Sequence, residues 1–156
     1  MAVAERLKRF LEDAGVEFEV LDHDEAYTAK EEAQAAHVPG RNWAKTVVVA
    51  ADGDPMLAVL PATHMLDLEA FARTVGASDV ELADETRFAG LYPDCEPGAM
   101  PPFGHLYDQT TFVDESLRRD EFIAFHAGDH QTAVKLSYAI FEELEEPVVA
   151  RISKEG

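Results

Sequence analysis

Residues 45–61 read Lys-Thr-Val-Val-Val-Ala-Ala-Asp-Gly-Asp-Pro-Met-Leu-Ala-Val-Leu-Pro, two apolar runs on either side of Asp52-Gly53-Asp54. Apolar runs rich in β-branched residues and joined by an Asp-Gly turn are typical of a β-hairpin. We therefore predict strands over residues 45–51 and 56–61. A hairpin needs no helical crossover, so the sequence favours an α+β domain over a doubly wound parallel sheet.

Helix signals flank this hairpin on both sides. Residues 3–14 carry apolar side chains at helical spacing and stop at Gly15. Thr28 opens a capping box whose helix runs to about His37, and Asp67 caps a further helix. The remaining predicted elements are a short helix after Asp84, strands over 17–21, 105–107, 111–114, 121–126 and 131–136, and a final helix over 138–145. Together they predict one domain over 1–156, with a mixed, curled, barrel-like sheet and peripheral helices.

The composition narrows the class of protein. No apolar run approaches the roughly 18 residues that cross a bilayer, and the charged N-terminal segment does not resemble a signal peptide. Cys95 is the only cysteine, which excludes an internal disulfide and a cysteine-based zinc cluster. We expect a cytoplasmic protein with no membrane partner.

The charge is strongly negative, with 31 Asp and Glu against 13 Lys and Arg and a formal net charge of −18. Such a balance ordinarily argues against nucleic-acid binding, because a basic surface supplies most of the non-specific affinity. Dispersed acid and few lysines also fit a high-salt habitat, since the Debye length falls to about 3 Å at 1 M salt. We favour a salt-tolerant source.

A second unusual stretch, residues 90–104, reads Gly-Leu-Tyr-Pro-Asp-Cys-Glu-Pro-Gly-Ala-Met-Pro-Pro-Phe-Gly. Its three glycines and four prolines exclude a regular helix or an interior strand. We predict a stiff loop suited to gripping a small ligand or a developing oxyanion. A wide turn between two elements explains the same composition equally well. The backbone donors that we expect the loop to expose belong to Gly98, Ala99, Met100, Phe103 and Gly104.

Three kinds of side chain are candidates for chemistry. Lys45, at the head of an apolar strand, is either an exposed edge residue or a point charge that holds a phosphate or ester group. His130 follows a turn and faces a rim, whereas His126 on a strand fits a structural role. Without His-Glu-x-x-His spacing or a Cys/His array, no metal site is predicted. Cys95 has no helix start after it to lower its pKa, so we interpret it as incidental.

Three motifs occur in an order that resembles a known family. They are Lys45-Thr46-Val-Val-Val, the Gly-x-x-x-Pro stretch Gly98-Ala-Met-Pro-Pro102, and Ala127-Gly-Asp-His130. Together they resemble the YbaK/EbsC family, relatives of the editing domain inserted in bacterial prolyl-tRNA synthetase. The resemblance covers about residues 20–150. Further positions similar to the family are Thr28, Glu32-Ala33, Pro61, Leu66-Asp67, Glu85, Gly90 and Asp114.

The resemblance implies a free-standing trans-editing aminoacyl-tRNA deacylase. Such proteins hydrolyse the ester between a small wrong amino acid (here alanine, cysteine or serine) and the 3′ end of a tRNA, typically tRNA(Pro). It gives catalytic roles to Lys45, which contacts the terminal adenosine or its phosphate, to Gly98, whose loop holds the carbonyl, and to His130 near the pocket. It implies no metal, no cofactor and no enzyme nucleophile. The implied substrate-binding residues are Thr46, Ala99, Met100, Pro101, Pro102, Phe103, Gly128 and Asp129.

The implied partner is the acceptor end of an aminoacyl-tRNA, with prolyl-tRNA synthetase as a further partner to test. The acid excess leaves few cations for a tRNA backbone, so we expect recognition to be confined to the acceptor end. Two other functions stay open: a non-catalytic module that binds an aminoacyl or adenylate ligand, and a Cys95-dependent hydrolase of unrelated substrates. The arginines available for tRNA are Arg41, Arg73, Arg87, Arg118 and Arg119.

Overall fold

The computed structural model describes residues 3–24, 26, 28–84 and 86–155. Glu85, singled out in the sequence, lies outside the described residues, as do both ends of the predicted 1–156 domain. The described α-helices are α1 (Glu5–Ala14), α2 (Ala29–Ala35), α3 (Leu68–Val75) and α4 (Tyr138–Glu145). The described strands are β1 (Glu19–Asp22), β2 (Ala44–Ala51), β3 (Asp54–Pro61), β4 (His64–Leu66), β5 (Val80–Leu82), β6 (Thr111–Asp114), β7 (Phe122–His126), β8 (Thr132–Ser137), β9 (Val148–Ala150) and β10 (Ser153–Glu155).

The predicted hairpin forms the centre of a five-stranded sheet. β2 and β3 pair antiparallel from Ala44 opposite Pro61 to Ala51 opposite Asp54. The turn residues Asp52 and Gly53 have φ of 50° and 88°, the left-handed values that a tight hairpin turn requires. The strand order is β5-β2-β3-β6-β9, with β6 parallel to both β3 and β9. The mixed α+β sheet is therefore confirmed.

A second, antiparallel sheet has the order β1-β8-β7, and β4 pairs with β10 in a third. An isolated parallel bridge joins Trp43, directly before β2, to Ala124 of β7. The prediction of a barrel-like sheet is therefore corrected, because the described strands do not close into a barrel. Instead, the five-stranded and the three-stranded sheets meet at one corner, where this bridge lies. This corner positions the candidate site described below.

Phe103 fills the space between the two larger sheets. Its ring is fully buried and lies 5.8 Å from Phe125 of β7 and 5.4 Å from Phe141 of α4. The edge-on approach of these rings is the preferred aromatic geometry. Burial of a phenylalanine contributes about 1.5–3 kcal/mol, so Phe103 anchors the end of the Pro/Gly-rich loop in the core.

Local helix signals agree with the structure at two sites. The Thr28 hydroxyl accepts a hydrogen bond from the Glu31 amide at 3.1 Å, and Asp67 accepts one from the Ala70 amide at 3.1 Å. The predicted strand over 105–107 is wrong, because Gly104–Tyr107 is a 3-10 helix held by three-residue hydrogen bonds. The short helix predicted after Asp84 begins later than expected: the Asp84 carboxylate accepts from the Thr86 amide in a turn, and a 3-10 helix follows at Ala89–Leu91. In the described part of the chain, no helix is long and apolar enough to cross a membrane.

Candidate functional site

The loop formed by residues 93–104, here called the Gly98 loop, docks on the turn of residues 127–130. The Gly128 amide donates to the Ala99 carbonyl at 3.0 Å, and the Glu96 amide donates to the Gly128 carbonyl at 2.7 Å. Glu96 also accepts from the His130 amide at 3.0 Å. The fold therefore brings two of the three sequence motifs together through backbone hydrogen bonds.

Glycine is required at the contact point of these two segments. Gly98 has φ of 82° and Gly128 has φ of 116°. Residues that carry a Cβ rarely adopt such a backbone conformation. A Cβ on Gly128 would also lie 2.8 Å from the Cβ of Ala4. Ala4, just before α1, donates its amide to the Ala127 carbonyl at 2.6 Å. The chain before α1 thus packs directly behind the turn.

The Gly98 loop is more buried than its composition predicts. The consecutive residues from Ala99 to Phe103 are all buried, and Met100 packs with Val48 of β2. Two of the predicted exposed donors are already used, because the Ala99 amide donates to Glu96 and the Gly104 amide to the Thr111 hydroxyl.

The amides of Gly98, Met100 and Phe103 make no hydrogen bond to another described residue. Gly98 is half-buried, at the edge of the buried part of the loop. Of the five predicted donors, three backbone N–H groups are therefore left for a ligand: those of Gly98, Met100 and Phe103.

A buried cluster of Glu32, His126 and His130 lies under this contact. The His126 Nε2 atom is 2.6 Å from Glu32 Oε2, and His130 Nδ1 is 3.7 Å from Glu32 Oε1. Burial, followed by the neighbouring His130, lowers the pKa of His126 to about 3. His126 is therefore a neutral imidazole at neutral pH.

The cluster also has the composition of a metal-ligand set. Its two imidazoles and one carboxylate offer ligand atoms within 4.8 Å of one another, and such a combination can bind zinc. Sequence analysis missed it, because the three residues come from α2, from β7 and from the following turn and share no motif spacing. The only signal for Glu32 was its position in the family resemblance, and His126 was interpreted as structural.

Lys45 is held by a different set of contacts. Its ammonium donates to the His64 carbonyl at 2.7 Å, and burial together with the nearby charge of Lys30 lowers its pKa. The His64 ring lies 2.7 Å from the Ser153 hydroxyl. The Ser153 amide donates to Asp114 at 2.9 Å. The buried Asp114 thus holds β10 in place. β10 pairs with β4, and β4 carries the His64 carbonyl that accepts from Lys45.

Alternation along β2 separates Lys45 from Thr46. Val48 packs against Met100, whereas Val49 packs against Phe71 of α3, so even-numbered residues face the Gly98 loop and odd-numbered ones face α3. Thr46 is buried on the loop side, and Lys45 points to the other side. No described hydrogen bond joins Lys45 to the other two motifs. A single pocket lined by all three motifs therefore stays a prediction.

Helix α2 connects the two groups. Lys30 in its first turn is close enough to Lys45 to affect its pKa, and Glu32 contacts His126 and His130. Helix α2 thus lies near both groups: its buried Glu32 contacts the histidines beside the Gly98 loop, and its exposed Lys30 lies near Lys45.

Cys95 has the environment of an unreactive thiol. Its Sγ lies 3.3 Å from the Tyr107 hydroxyl, which itself donates to Asp94 at 2.8 Å. Burial foremost raises the pKa of Cys95 to about 12. Because the thiolate is the nucleophile, this environment argues against the cysteine-hydrolase alternative.

A separate groove lies elsewhere on the described surface. It has a volume of about 690 Å³, between β1, β8 and α4, and Phe18, Phe122 and Ile140 are among its lining residues. None of the predicted site residues lines it. We place the candidate site at the contact of the two motifs, because that region combines free backbone donors with buried ionisable groups.

Comparison with protein families identifies the fold. The family described as aminoacyl-tRNA editing domain matches residues 23–144, which is more than half of the chain. The chain belongs to the aminoacyl-tRNA editing domain family. The resemblance to YbaK/EbsC proteins is thereby confirmed.

Solved structures agree over nearly the whole chain. A protein described as a candidate trans-editing enzyme for prolyl-tRNA synthetase is 25% identical, with a TM-score of 0.84 over 98% of this chain and 97% of its own. A scaffold protein used for epitope grafting by computational design is 27% identical, with a TM-score of 0.83 over the same shares. A hypothetical protein of 21% identity has a TM-score of 0.86 over 96% and 100% and shares the fold alone. Among curated proteins, none matches the chain significantly.

Proposed function

We propose that this editing domain hydrolyses aminoacyl-tRNA in trans, releasing alanine, cysteine or serine that has been wrongly attached to tRNA(Pro). The observation that carries the proposal is the docking of the Gly98 loop on the 127–130 turn, with the Gly98 and Met100 amides left without a described partner. The editing family of the chain and its 25% identity to a candidate trans-editing enzyme support the same activity.

The reaction needs little chemical assistance from the protein. A water oxygen attacks the ester carbonyl carbon, the bond to the ribose oxygen breaks, and the proton of the water passes to that oxygen. The products are a free amino acid and a tRNA with its terminal hydroxyl restored. Backbone N–H groups directed at the developing oxyanion stabilise the transition state, and one such donor is worth about 10²–10³ in rate.

Lys45 and His130 hold the substrate in this scheme. Lys45, as a compact positive charge, binds the phosphate or ribose of the terminal adenosine. His130, beside the Gly98 loop, orients the ester and the attacking water. Pocket walls restrict the amino acid to a small side chain; they come from Thr46, Ala99, Met100, Pro101, Pro102, Phe103, Gly128 and Asp129.

An aminoacyl ester is already activated, so we propose a reaction that uses no metal, no cofactor and no covalent intermediate. The partner is the acceptor end of the tRNA, with prolyl-tRNA synthetase as a docking partner. The protein would then act as one domain over 1–156 in the cytoplasm, where charged tRNA is found. The net charge of −18 would limit contacts with the rest of the tRNA.

A deacylation panel tests this proposal. Alanyl-, cysteinyl-, seryl- and prolyl-tRNA(Pro) are incubated with excess protein, with and without chelator, and the released amino acid is measured. We expect release of at least one small amino acid, sparing of prolyl-tRNA(Pro) and no effect of the chelator. Binding of aminoacyl-tRNA without release from any member of the panel would favour the non-catalytic alternative instead.

A further inference from the structure

We infer that Glu32 is a positioning residue, whose carboxylate orients the His126 and His130 rings and through them the Gly98 loop. The inference rests on the proposed function for its catalytic consequence. Its structural part concerns only contacts within the protein and can be tested separately.

One buried carboxylate contacts two imidazoles from different parts of the chain. Glu32 lies on α2 and is only 1% exposed. One of its oxygens is 2.6 Å from His126 Nε2, and the other is 3.7 Å from His130 Nδ1. A buried carboxylate is stable only when polar groups of the protein replace the water that it has lost. The two imidazole rings are polar groups that face Glu32 here.

The protons of the cluster can be assigned from their partners. His126 is neutral, and its Nε2 atom lies 2.6 Å from the Glu32 carboxylate, which can only accept when ionised, so the tautomer with the proton on Nε2 fits this contact. The His130 Nε2 atom lies 3.0 Å from the Pro97 carbonyl, which can only accept, so this nitrogen carries a proton. The His130 ring therefore lies between the Pro97 carbonyl, to which its Nε2–H donates, and the Glu32 carboxylate, which faces Nδ1 at 3.7 Å and attracts the ring through its charge when Nδ1 is also protonated.

The position of the His130 ring affects the proposed oxyanion donors. Pro97 directly precedes Gly98, and its carbonyl is the acceptor for the ring. A rotation of the ring would release this carbonyl and loosen the peptide that carries the Gly98 amide. Glu32 thus acts on the loop through His130, without touching the substrate.

Among the described residues, the other ionisable groups near His130 make different contacts. Glu96 of the Gly98 loop accepts from the His130 backbone amide and not from the ring. Asp129 accepts from the Gln131 amide at 2.9 Å. His126 of β7 faces the His130 ring at 5.4 Å between centroids. Within the described residues, Glu32 is the carboxylate that lies within 4 Å of both rings.

The test compares Glu32→Gln with Glu31→Gln, its exposed neighbour on the same helix. Glutamine keeps the shape of glutamate but removes the charge, and at position 31 it also keeps the capping pattern. Nitrogen-15 spectra of the imidazoles report the tautomer of each histidine. We expect protonated Nε2 on both His126 and His130 in the wild type at pH 7. Glu32→Gln should shift both sets of resonances, and Glu31→Gln should shift neither.

The kinetic consequence is measured on the same three proteins. We expect Glu32→Gln to lower kcat for deacylation on the order of 10²-fold while KM changes by less than about twofold. Glu31→Gln should leave both values unchanged. If the wild type has the expected tautomers but releases no amino acid, the proposed function fails and the positioning of the rings by Glu32 stands.

Three results would overturn the inference. Unshifted histidine resonances in Glu32→Gln would show that the carboxylate does not hold the rings. A wild-type His130 ring that is protonated at Nδ1 and bare at Nε2 would contradict the contact with Pro97, and this measurement needs no variant to fold. Stoichiometric binding of added zinc that moves both rings and raises kcat would make Glu32 a metal ligand instead.

Discussion

The amide of Gly128 donates a 3.0 Å hydrogen bond to the carbonyl of Ala99. This bond joins two motifs that are far apart in sequence, and the 2.7 Å bond from the Glu96 amide to the Gly128 carbonyl makes the contact reciprocal. Because these two bonds join backbone groups, they depend on backbone conformation more than on side-chain identity. Glycine substitutions are therefore the most direct probes of the contact.

Gly128→Ala should destabilise the protein more than Gly53→Ala. Both glycines have positive φ, 116° and 88°, but a Cβ on Gly128 meets Ala4 at 2.8 Å whereas one on Gly53 meets nothing within 4 Å. We expect the free energy of unfolding to fall by about 3 kcal/mol for Gly128→Ala and by about 1 kcal/mol for Gly53→Ala. Urea unfolding measures both, and equal losses would contradict the close packing of Ala4 on the turn.

Cys95 should be chemically inert and dispensable. With its pKa raised to about 12 by burial, the folded protein at pH 8 should react with iodoacetamide far more slowly than a free thiol, whose pKa is about 8.5. The urea-unfolded protein provides the control, since its thiol is exposed. Cys95→Ala should keep the deacylation rate within about twofold. Loss of activity in this variant would revive the cysteine-hydrolase alternative.

Asp114 should stabilise the fold at neutral pH and lose this effect in acid. Burial raises the pKa of Asp114, but hydrogen bonds from Ser116, Ile152 and Ser153 outweigh burial and hold the pKa below its usual range. Its contribution is therefore present above the unfolded pKa of about 3.9 and is lost as pH falls through the lower folded value.

Asp114→Asn should lower the free energy of unfolding by about 1–3 kcal/mol at pH 7 and by less at pH 3. Urea unfolding at the two pH values measures the difference. Asp54→Asn, at an exposed position of the hairpin, should change stability by less than about 0.5 kcal/mol. A penalty for Asp114→Asn that does not depend on pH would contradict the assigned hydrogen bonds.

Salt should stabilise the protein. At a net charge of −18, self-repulsion opposes the compact state, and added ions screen it. We expect Tm to rise between about 0.05 and 2 M KCl. A double variant with Glu12→Gln and Asp13→Asn, both at exposed positions, should have a higher Tm than the wild type at low salt. The difference in Tm should disappear at high salt. A Tm that falls with added KCl would show that the acidity has another role.

Elements with a strong local signal were predictable from the sequence. The Asp52-Gly53 turn and the caps at Thr28 and Asp67 depend on side chains next to the backbone groups that they satisfy. The three-residue strands β4, β5, β9 and β10 were not predicted, because a run that short has no pattern and forms only when its partner strand is in place. The strand expected at 105–107 failed for a similar reason: the Gly104 amide bonds to Thr111, a contact outside the local pattern.

The candidate site was predictable only in part. The Gly98 loop and the 127–130 turn stand out in the sequence as glycine-containing motifs, but composition could not reveal that their backbones bond to each other. Lys45 was visible as a charge at the head of an apolar strand, whereas its acceptor is the carbonyl of His64, which no side-chain pattern encodes. The Glu32–His126–His130 cluster assembles from distant segments, so only tertiary structure brings its members together.

The claim that this domain edits mischarged tRNA is tested most directly by the rate of amino-acid release from mischarged tRNA(Pro) under single-turnover conditions. Lys45→Ala is measured beside the wild type, with Lys154→Ala at an exposed position of β10 as the matched control. We predict release by the wild type well above spontaneous hydrolysis, a loss of about 10²–10³ in rate for Lys45→Ala, and a rate within about twofold of wild type for Lys154→Ala. Release by the wild type no faster than spontaneous hydrolysis, for every mischarged tRNA(Pro) tried, would contradict the proposed function.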